Sequence, residues 1–206
     1  MSLIVLLVVL SMLLVAWTYP ISRNAANYLY WSMVYTGPES RGVVEIRNAT
    51  IAYRSYGNGL PLVFLHGGLS SSFDWFSQVP FFSAHNWQII LIDTRGHGTS
   101  TMGDSRFTYQ SLADDVIAVL DHIGVEKADF VGWSDGGNVA LRLSEKYPSR
   151  VGRMILISAN YSPAGLIDPQ LNNFDEGWVH RLKRYLLGSS NAQLVDNVKH
   201  LWKNYP

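Results

Sequence analysis

The residues most able to do chemistry stand together at 132–136, where the chain reads Gly-Trp-Ser-Asp-Gly. The apolar run at 128–132 predicts a buried strand before the serine, and the apolar spacing over 137–147 predicts a helix after it. A sharp strand-to-helix turn presents a serine hydroxyl at its tip, and glycines on both sides let neighbouring backbone approach closely. The pattern therefore predicts that Ser134 is a nucleophile, although glycine-rich turns of this composition also occur without any chemistry.

Two more apolar runs end in short segments of chemical interest. His66-Gly67-Gly68 follows the run at 62–65, and Asp-Thr-Arg-Gly-His-Gly-Thr-Ser at 93–100 follows the run at 88–92. Ligands bind at the carboxyl ends of the strands in open α/β sheets. Three consecutive units of strand and motif therefore predict a mostly parallel sheet whose functional loops share one edge.

Taken together, these three segments resemble the α/β-hydrolase family over about residues 43–205. The resemblance implies an α/β-hydrolase core over 43–160, with helices on both faces of the sheet, and the start of a helical lid over 161–206. The run at 132–137 is most similar to the branch that contains valacyclovir hydrolase, enol-lactonases and C–C bond hydrolases. The resemblance implies no metal and no organic cofactor.

Serine chemistry requires a base beside the nucleophile and backbone N–H donors for the oxyanion of the tetrahedral intermediate. In this fold the first donor is the residue after the nucleophile, Asp135, at a helix N-terminus whose dipole favours an anion. The resemblance assigns the second donor to the backbone of Gly68, with Leu69 as a neighbour that could substitute. It gives the 93–100 segment a structural role.

The acid and the histidine of a catalytic triad are not found in this sequence. The family order is serine, acid, histidine, but only one strand, at 151–158, is predicted after the nucleophile helix. Asp168 and Asp175 do not follow a strand closely enough to serve as the acid. None of the six histidines is a good candidate for the catalytic base. Two lie in the motifs, two in other segments and two on the predicted lid: His66 and His97, His85 and His122, and His180 and His200. We therefore expect the final strands, with the acid and the histidine, beyond the end of this chain.

Composition narrows the classes of protein. With 48% hydrophobic and 16% charged residues, the 206-residue chain can bury the core of one domain. Its net charge is zero and it has no long basic run, so nucleic acid is not an expected partner. Without cysteine it can form neither disulfides nor a cysteine-based metal site.

The N-terminus is strongly apolar. Residues 1–22 carry no charged side chain, which predicts a transmembrane helix acting as a single-pass membrane anchor, with aromatic residues after it suited to a membrane interface. A cleaved signal sequence, with a secreted or periplasmic protein, is the alternative, and a buried core helix is a third reading. Residues 23–42 are predicted to be a linker.

These features predict a serine hydrolase of small carboxylic esters that works through an acyl-enzyme. Amino acid esters are the narrower candidate, because the Asp135 carboxylate could pair with a substrate ammonium; bracing the helix is the competing role for this side chain. Trp133, with Trp75 and Phe73, could line an acyl pocket or simply pack in the core. The alternative functions are a catalytically silent binding protein of this fold and a relative with C–C hydrolase or lyase chemistry.

Overall fold

The computed structural model describes residues 3–160, and within the first helix it describes side chains only at 6–12 and 25–34. That helix, α1, spans Leu3–Val34. The predicted lid over 161–206 lies outside the described residues, as do Asp168, Asp175, His180 and His200.

The structure corrects the prediction for the N-terminus. Within the described residues, no helix has both the length and the apolar character needed to cross a bilayer, so the predicted transmembrane helix and single-pass anchor are wrong. The aliphatic run at 3–16 has 14 residues. As a helix it is about 21 Å long, shorter than the roughly 30 Å hydrocarbon core of a bilayer.

The predicted linker at 23–42 is also structured differently. Its first half continues α1 to Val34, and its last residues belong to strand β1, Glu39–Ile46. Tyr28 of α1 is buried, stacks on Phe76 with ring centroids 3.7 Å apart, and its hydroxyl contacts that of Tyr56. The last turns of α1 are therefore packed on the domain, and this part of the chain does not behave as a tether.

The predicted α/β architecture with a mostly parallel sheet is confirmed. The described residues form a six-stranded sheet in the order β1-β2-β4-β3-β5-β6. The first two strands form an antiparallel hairpin whose turn, Arg47 and Asn48, has the positive φ angles of 48° and 62° typical of tight hairpins. The remaining strands are parallel to one another. Their bounds are Ala49–Tyr56 (β2), Leu60–Leu65 (β3), Trp87–Ile92 (β4), Ala128–Trp133 (β5) and Val151–Ile157 (β6).

Helices cover both faces of this sheet, because the central strands are apolar on both sides. On one face pack α3, Tyr109–His122, and α4, Asp135–Lys146, against alternate side chains of β3 and β4. On the other pack the end of α1, a 3₁₀ turn at Ser72–Trp75 and the short α2, Val79–Ser83. This layering fixes the carboxyl ends of β3, β4 and β5, where the three sequence motifs begin.

Candidate active site

Ser134 occupies a strained turn between β5 and α4. Its φ of 52° and ψ of −119° lie in a region that residues with a side chain rarely adopt. The Ser134 N–H donates to the carbonyl of Ile157 on β6 at 2.8 Å, and its own carbonyl accepts from Gly137 N–H at 2.9 Å. The serine is partly exposed although the residues that follow it are buried. The hydroxyl-bearing residue is thus held at the tip of the predicted turn.

Glycines make this turn sterically feasible. A Cβ on Gly136 would overlap the carbonyl oxygens of Leu65 and His66, and one on Gly132 would lie 2.5 Å from the Gly136 oxygen. Because these neighbours are backbone atoms, they cannot move aside cheaply. The turn at residues 132–136, called the elbow below, can therefore approach the end of β3 closely only because Gly132 and Gly136 have no side chain.

The loop after β3 lies directly against the elbow. A Cβ on Gly67 would lie 3.3 Å from the Ser134 Cβ and 3.1 Å from Cε3 of the Trp133 ring. Gly68 is the next residue and is partly exposed. Its N–H has no hydrogen-bond partner among residues 3–160. The structure therefore brings the predicted nucleophile next to the segment predicted to carry the second oxyanion donor.

His66 is buried and tied to backbone on both sides. Its Nδ1–H donates to the Gly67 carbonyl at 2.7 Å, and its Nε2 accepts from the Thr94 N–H at 3.0 Å. Burial lowers its pKa below the usual histidine range, so the ring is neutral. With both nitrogens occupied in this way, His66 is not available as a triad base.

His97 is also buried and neutral, and its contact with Leu69 excludes Leu69 as the alternative oxyanion donor. Burial and the neighbouring His66 lower its pKa to about 4. Its Nε2 accepts the Leu69 N–H at 3.1 Å, and its Nδ1–H donates to the Arg95 carbonyl at 3.0 Å. Since the Leu69 N–H is already used, Leu69 does not substitute for Gly68 as a donor into the site.

The remainder of the 93–100 segment is a brace. The Asp93 carboxylate accepts from the Ser72 N–H at 2.8 Å and from the Thr99 N–H at 3.0 Å. Burial raises the pKa of Asp93, but these hydrogen bonds outweigh it and leave the pKa below its ordinary value. Arg95 forms a bidentate, buried ion pair with Asp115 of α3, at 2.7 and 2.8 Å. The sequence motif identified Asp93 and Arg95 but gave no sign of Asp115.

The Asp135 side chain points into a buried polar network. It is 6% exposed, and its Oδ1 accepts from the Tyr109 hydroxyl of α3 at 2.6 Å. Asn138 donates to the same hydroxyl at 3.1 Å and accepts from the Asn160 N–H at 3.0 Å. This network joins α3, α4 and the segment after β6. Sequence analysis did not identify Tyr109 or Asn138, because their role depends on a contact between two distant helices.

The three aromatic residues proposed for an acyl pocket have different environments. Trp75 is 8% exposed and packs on Phe64 in the core, with ring centroids 5.0 Å apart. Trp133 is 39% exposed beside Gly67, and Phe73 is 59% exposed on the 3₁₀ turn. Only Trp133 is both accessible and adjacent to Ser134.

The other two described histidines lie at the wrong edge of the sheet. His85 precedes β4, and His122 ends α3 just before β5, whereas Ser134 follows β5. A strand of six residues separates these edges by about 20 Å. No described histidine can therefore serve Ser134 as a base. Within residues 3–160 no cluster of His, Asp or Glu side chains could hold a metal ion.

Comparison with known proteins decides the family. The sequence profile of the alpha/beta hydrolase fold matches residues 61–205. This chain belongs to the α/β-hydrolase fold family. It is 38% identical over 112 residues to the bifunctional esterase/perhydrolase of Acinetobacter calcoaceticus, covering 53% of this chain and 41% of that protein. It is 36% identical over 122 residues to the non-heme chloroperoxidase of Streptomyces lividans, covering 57% and 44%.

A solved relative has the same architecture. The α/β hydrolase chain is 36% identical to Est816, described as an N-acyl homoserine lactone degrading enzyme, with a TM-score of 0.59 over 67% of this chain and 53% of that one. The chain spans about half the length of the curated relatives it matches. The narrower similarity to the valacyclovir hydrolase branch stays a prediction.

Proposed function

We propose that this α/β hydrolase cleaves small carboxylic esters, with Ser134 as the nucleophile of an acyl-enzyme mechanism. The observation that carries the proposal is the elbow itself. Ser134 is partly exposed at φ 52° while every residue of the first turn of α4 is buried. The strained backbone at Ser134 thus presents a hydroxyl at the end of β5.

In the proposed reaction, Ser134 Oγ attacks the ester carbonyl carbon and the carbonyl oxygen becomes an oxyanion. The N–H of Asp135, the first residue of α4, and the N–H of Gly68 donate to that oxygen. Collapse of the tetrahedral intermediate expels the alcohol and leaves an acyl-Ser134 ester, which water then hydrolyses. The base and acid that move the protons are expected outside residues 3–160.

Trp133 is proposed to line the acyl side of the pocket, because its exposed ring lies over Gly67 beside the nucleophile. The Asp135 carboxylate is proposed to brace the site. Its burial and its short hydrogen bond to Tyr109 support this role over direct recognition of a substrate ammonium. The proposed substrates are accordingly neutral small esters.

Hydrolysis of p-nitrophenyl acetate by the full protein, beside Ser134→Ala, tests the reaction. We expect turnover in the unaltered protein and a loss of at least about 10³-fold in the variant, as for a nucleophile in this mechanism. Equal rates in both proteins would refute the role of Ser134.

Asp135→Asn separates the two roles of this side chain. Because the carboxylate contacts Tyr109, we expect the same fractional loss of kcat/KM for a neutral ester and for the matching α-amino acid ester. A much larger loss for the amino ester would instead establish Asp135 as the site of ammonium recognition.

A further inference from the structure

Two buried histidines join the loops after β3 and β4 in a reciprocal way. His66 belongs to the first loop and accepts the Thr94 N–H of the second, at 3.0 Å. His97 belongs to the second loop and accepts the Leu69 N–H of the first, at 3.1 Å. The ring centroids are 4.9 Å apart. Each loop thus supplies the acceptor for a backbone donor of the other.

These contacts determine which ring nitrogen carries the proton in each histidine. Both Nε2 atoms accept backbone N–H groups, so in the neutral rings the proton is on Nδ1. The Nδ1–H of His97 donates to the Arg95 carbonyl at 3.0 Å and to the Thr94 hydroxyl at 3.2 Å. The Nδ1–H of His66 donates to the Gly67 carbonyl at 2.7 Å.

The Thr94 hydroxyl connects the two rings in a single direction. Because it accepts from His97 Nδ1–H, its own proton is directed to His66 Nε2, 3.2 Å away. A chain of donors therefore runs from the Leu69 N–H through His97, Thr94 and His66 to the Gly67 carbonyl. Hydrogen bonds in such a chain strengthen one another by about 10–30% each.

The chain ends on the peptide group that carries the Gly68 N–H. The carbonyl of Gly67 and the N–H of Gly68 belong to one planar trans peptide, so they point in opposite directions. With the carbonyl fixed on His66, the N–H is directed away from that ring. Polarising the carbonyl also makes the opposite N–H a stronger donor.

We propose that His66, Thr94 and His97 form one unidirectional hydrogen-bond chain that orients and polarises the Gly68 N–H as an oxyanion donor. The inference rests on the proposed function, since the Gly68 N–H acts as a donor only where an oxyanion forms in the reaction. All three are positioning residues, because each acts through the Gly67–Gly68 peptide. The chain runs between two loops that approach Ser134 from neighbouring strands, so it couples the geometry of one loop to the other.

Thr94 offers the sharpest test, because its hydroxyl can be removed while both histidine rings keep their hydrogen bonds to backbone groups. In Thr94→Val, with p-nitrophenyl acetate as substrate, we expect kcat to fall about 3- to 10-fold at nearly constant KM, as for an interaction made in the transition state. Thr94→Ser retains the hydroxyl and should recover most of kcat. An unchanged kcat in Thr94→Val would overturn the proposal, as would an equal loss in Thr94→Ser.

His66 gives a larger effect through the same peptide. His66→Leu removes the donor to Gly67, and kcat should fall about 10²-fold, the order of a lost oxyanion donor. His66→Asn keeps an N–H near the position of Nδ1 and should recover part of this loss. The exposed His85, changed to Gln, is the matched control and should leave turnover unaltered. A loss in His66→Asn equal to that in His66→Leu would contradict the orienting role.

A spectroscopic arm separates this proposal from the proposed function. In ¹⁵N-labelled protein, the Gly68 amide proton resonance should shift in Thr94→Val and return toward its position in Thr94→Ser, whether or not the protein turns over esters. An unchanged Gly68 resonance in Thr94→Val would contradict the proposed hydrogen-bond chain. If Thr94→Val does not fold, Thr94→Ala carries the same expectations for kcat and for the resonance. If the resonance shifts as expected but no turnover depends on Ser134, the proposed ester hydrolysis is refuted and the hydrogen-bond chain through His66, Thr94 and His97 stands.

Discussion

The elbow at Ser134 and the pair of loops opposite it are fixed by different physical means. The elbow is held by close backbone packing, in which Gly132 and Gly136 leave no room for a Cβ. The two loops are held by buried polar side chains, including His66 and His97, whose hydrogen bonds reach the backbone of the other loop. The elbow is therefore sensitive to substitutions that add side-chain volume. The two loops are sensitive to the loss of a hydrogen-bond partner and to protonation of the histidines.

This difference has a chemical reason. A nucleophile must stay partly exposed, so its position is best fixed from behind by packing that needs no partner in the pocket. An oxyanion donor must keep its N–H available, so the surrounding peptide groups have to be satisfied by other atoms. In the loops, the carbonyl of Gly67 and the N–H of Leu69 are satisfied by histidines. The N–H of Gly68, the proposed oxyanion donor, has no hydrogen-bond partner among residues 3–160.

Removing a buried partner from the loops should have the largest effect on stability. Arg95→Met leaves the Asp115 carboxylate buried without its bidentate partner, and the free energy of unfolding should fall by about 4 kcal/mol. Urea denaturation measures the loss. The double variant Arg95→Met/Asp115→Leu should recover much of it, because no charge is then buried alone. No recovery would show that the ion pair itself, and not the stranded charge, stabilises this region.

Adding one methyl group tests the elbow. Gly136→Ala places a Cβ against backbone oxygens of the β3 end, and the free energy of unfolding should fall by about 3 kcal/mol. Gly124→Ala is the matched control, since no atom lies within 4 Å of its Cβ. Its positive φ of 71° should cost only about 1–2 kcal/mol. A smaller loss for Gly136→Ala than for the control would contradict the packing account.

Acidification should weaken the loops but not the packing of the elbow. An unfolded histidine titrates near pH 6.5. Burial and His66 lower the pKa of His97 to about 4, against the opposing effects of its hydrogen bond to Arg95 and of the Asp135 and Asp93 carboxylates. Between these values the unfolded chain binds a proton that folded His97 does not, so stability falls as pH falls through this window. His97 contributes roughly 2–3 kcal/mol to this loss. In urea unfolding from pH 7 to pH 4, His97→Gln should show a shallower decline; parallel curves would contradict the assignment.

Relieving the strain at the nucleophile should have the smallest effect on stability and abolish function. Ser134→Gly accepts φ 52° without steric cost, so the free energy of unfolding should rise by about 1 kcal/mol while esterase activity is lost. Ser134→Ala removes the same hydroxyl but keeps the strain, which makes it the control. Equal stability of the two variants would show that the turn is not strained.

The sequence was informative where function depends on residues close together in the chain. The elbow at 132–136 and the two loops after β3 and β4 are each local patterns, and the structure brings them together at one edge of the sheet. The presence of the three strands followed from the same patterns, because buried parallel strands are continuous apolar runs.

Partners that meet only through tertiary packing were not predicted. Asp115 lies 20 residues after Arg95, and Tyr109 lies 26 residues before Asp135, with no spacing rule that connects either pair. The N-terminal prediction failed for a related reason. Apolar character alone does not distinguish a membrane span from a helix whose last turns pack on the domain, as α1 does through Tyr28.

The central claim is that Ser134 attacks the ester carbonyl, and intact-protein mass spectrometry after brief exposure to a fluorophosphonate ester tests it most directly. The account predicts a single covalent adduct, mapped by peptide sequencing to Ser134 and absent from Ser134→Ala. An adduct on another residue, or equal labelling of the two proteins, would contradict it.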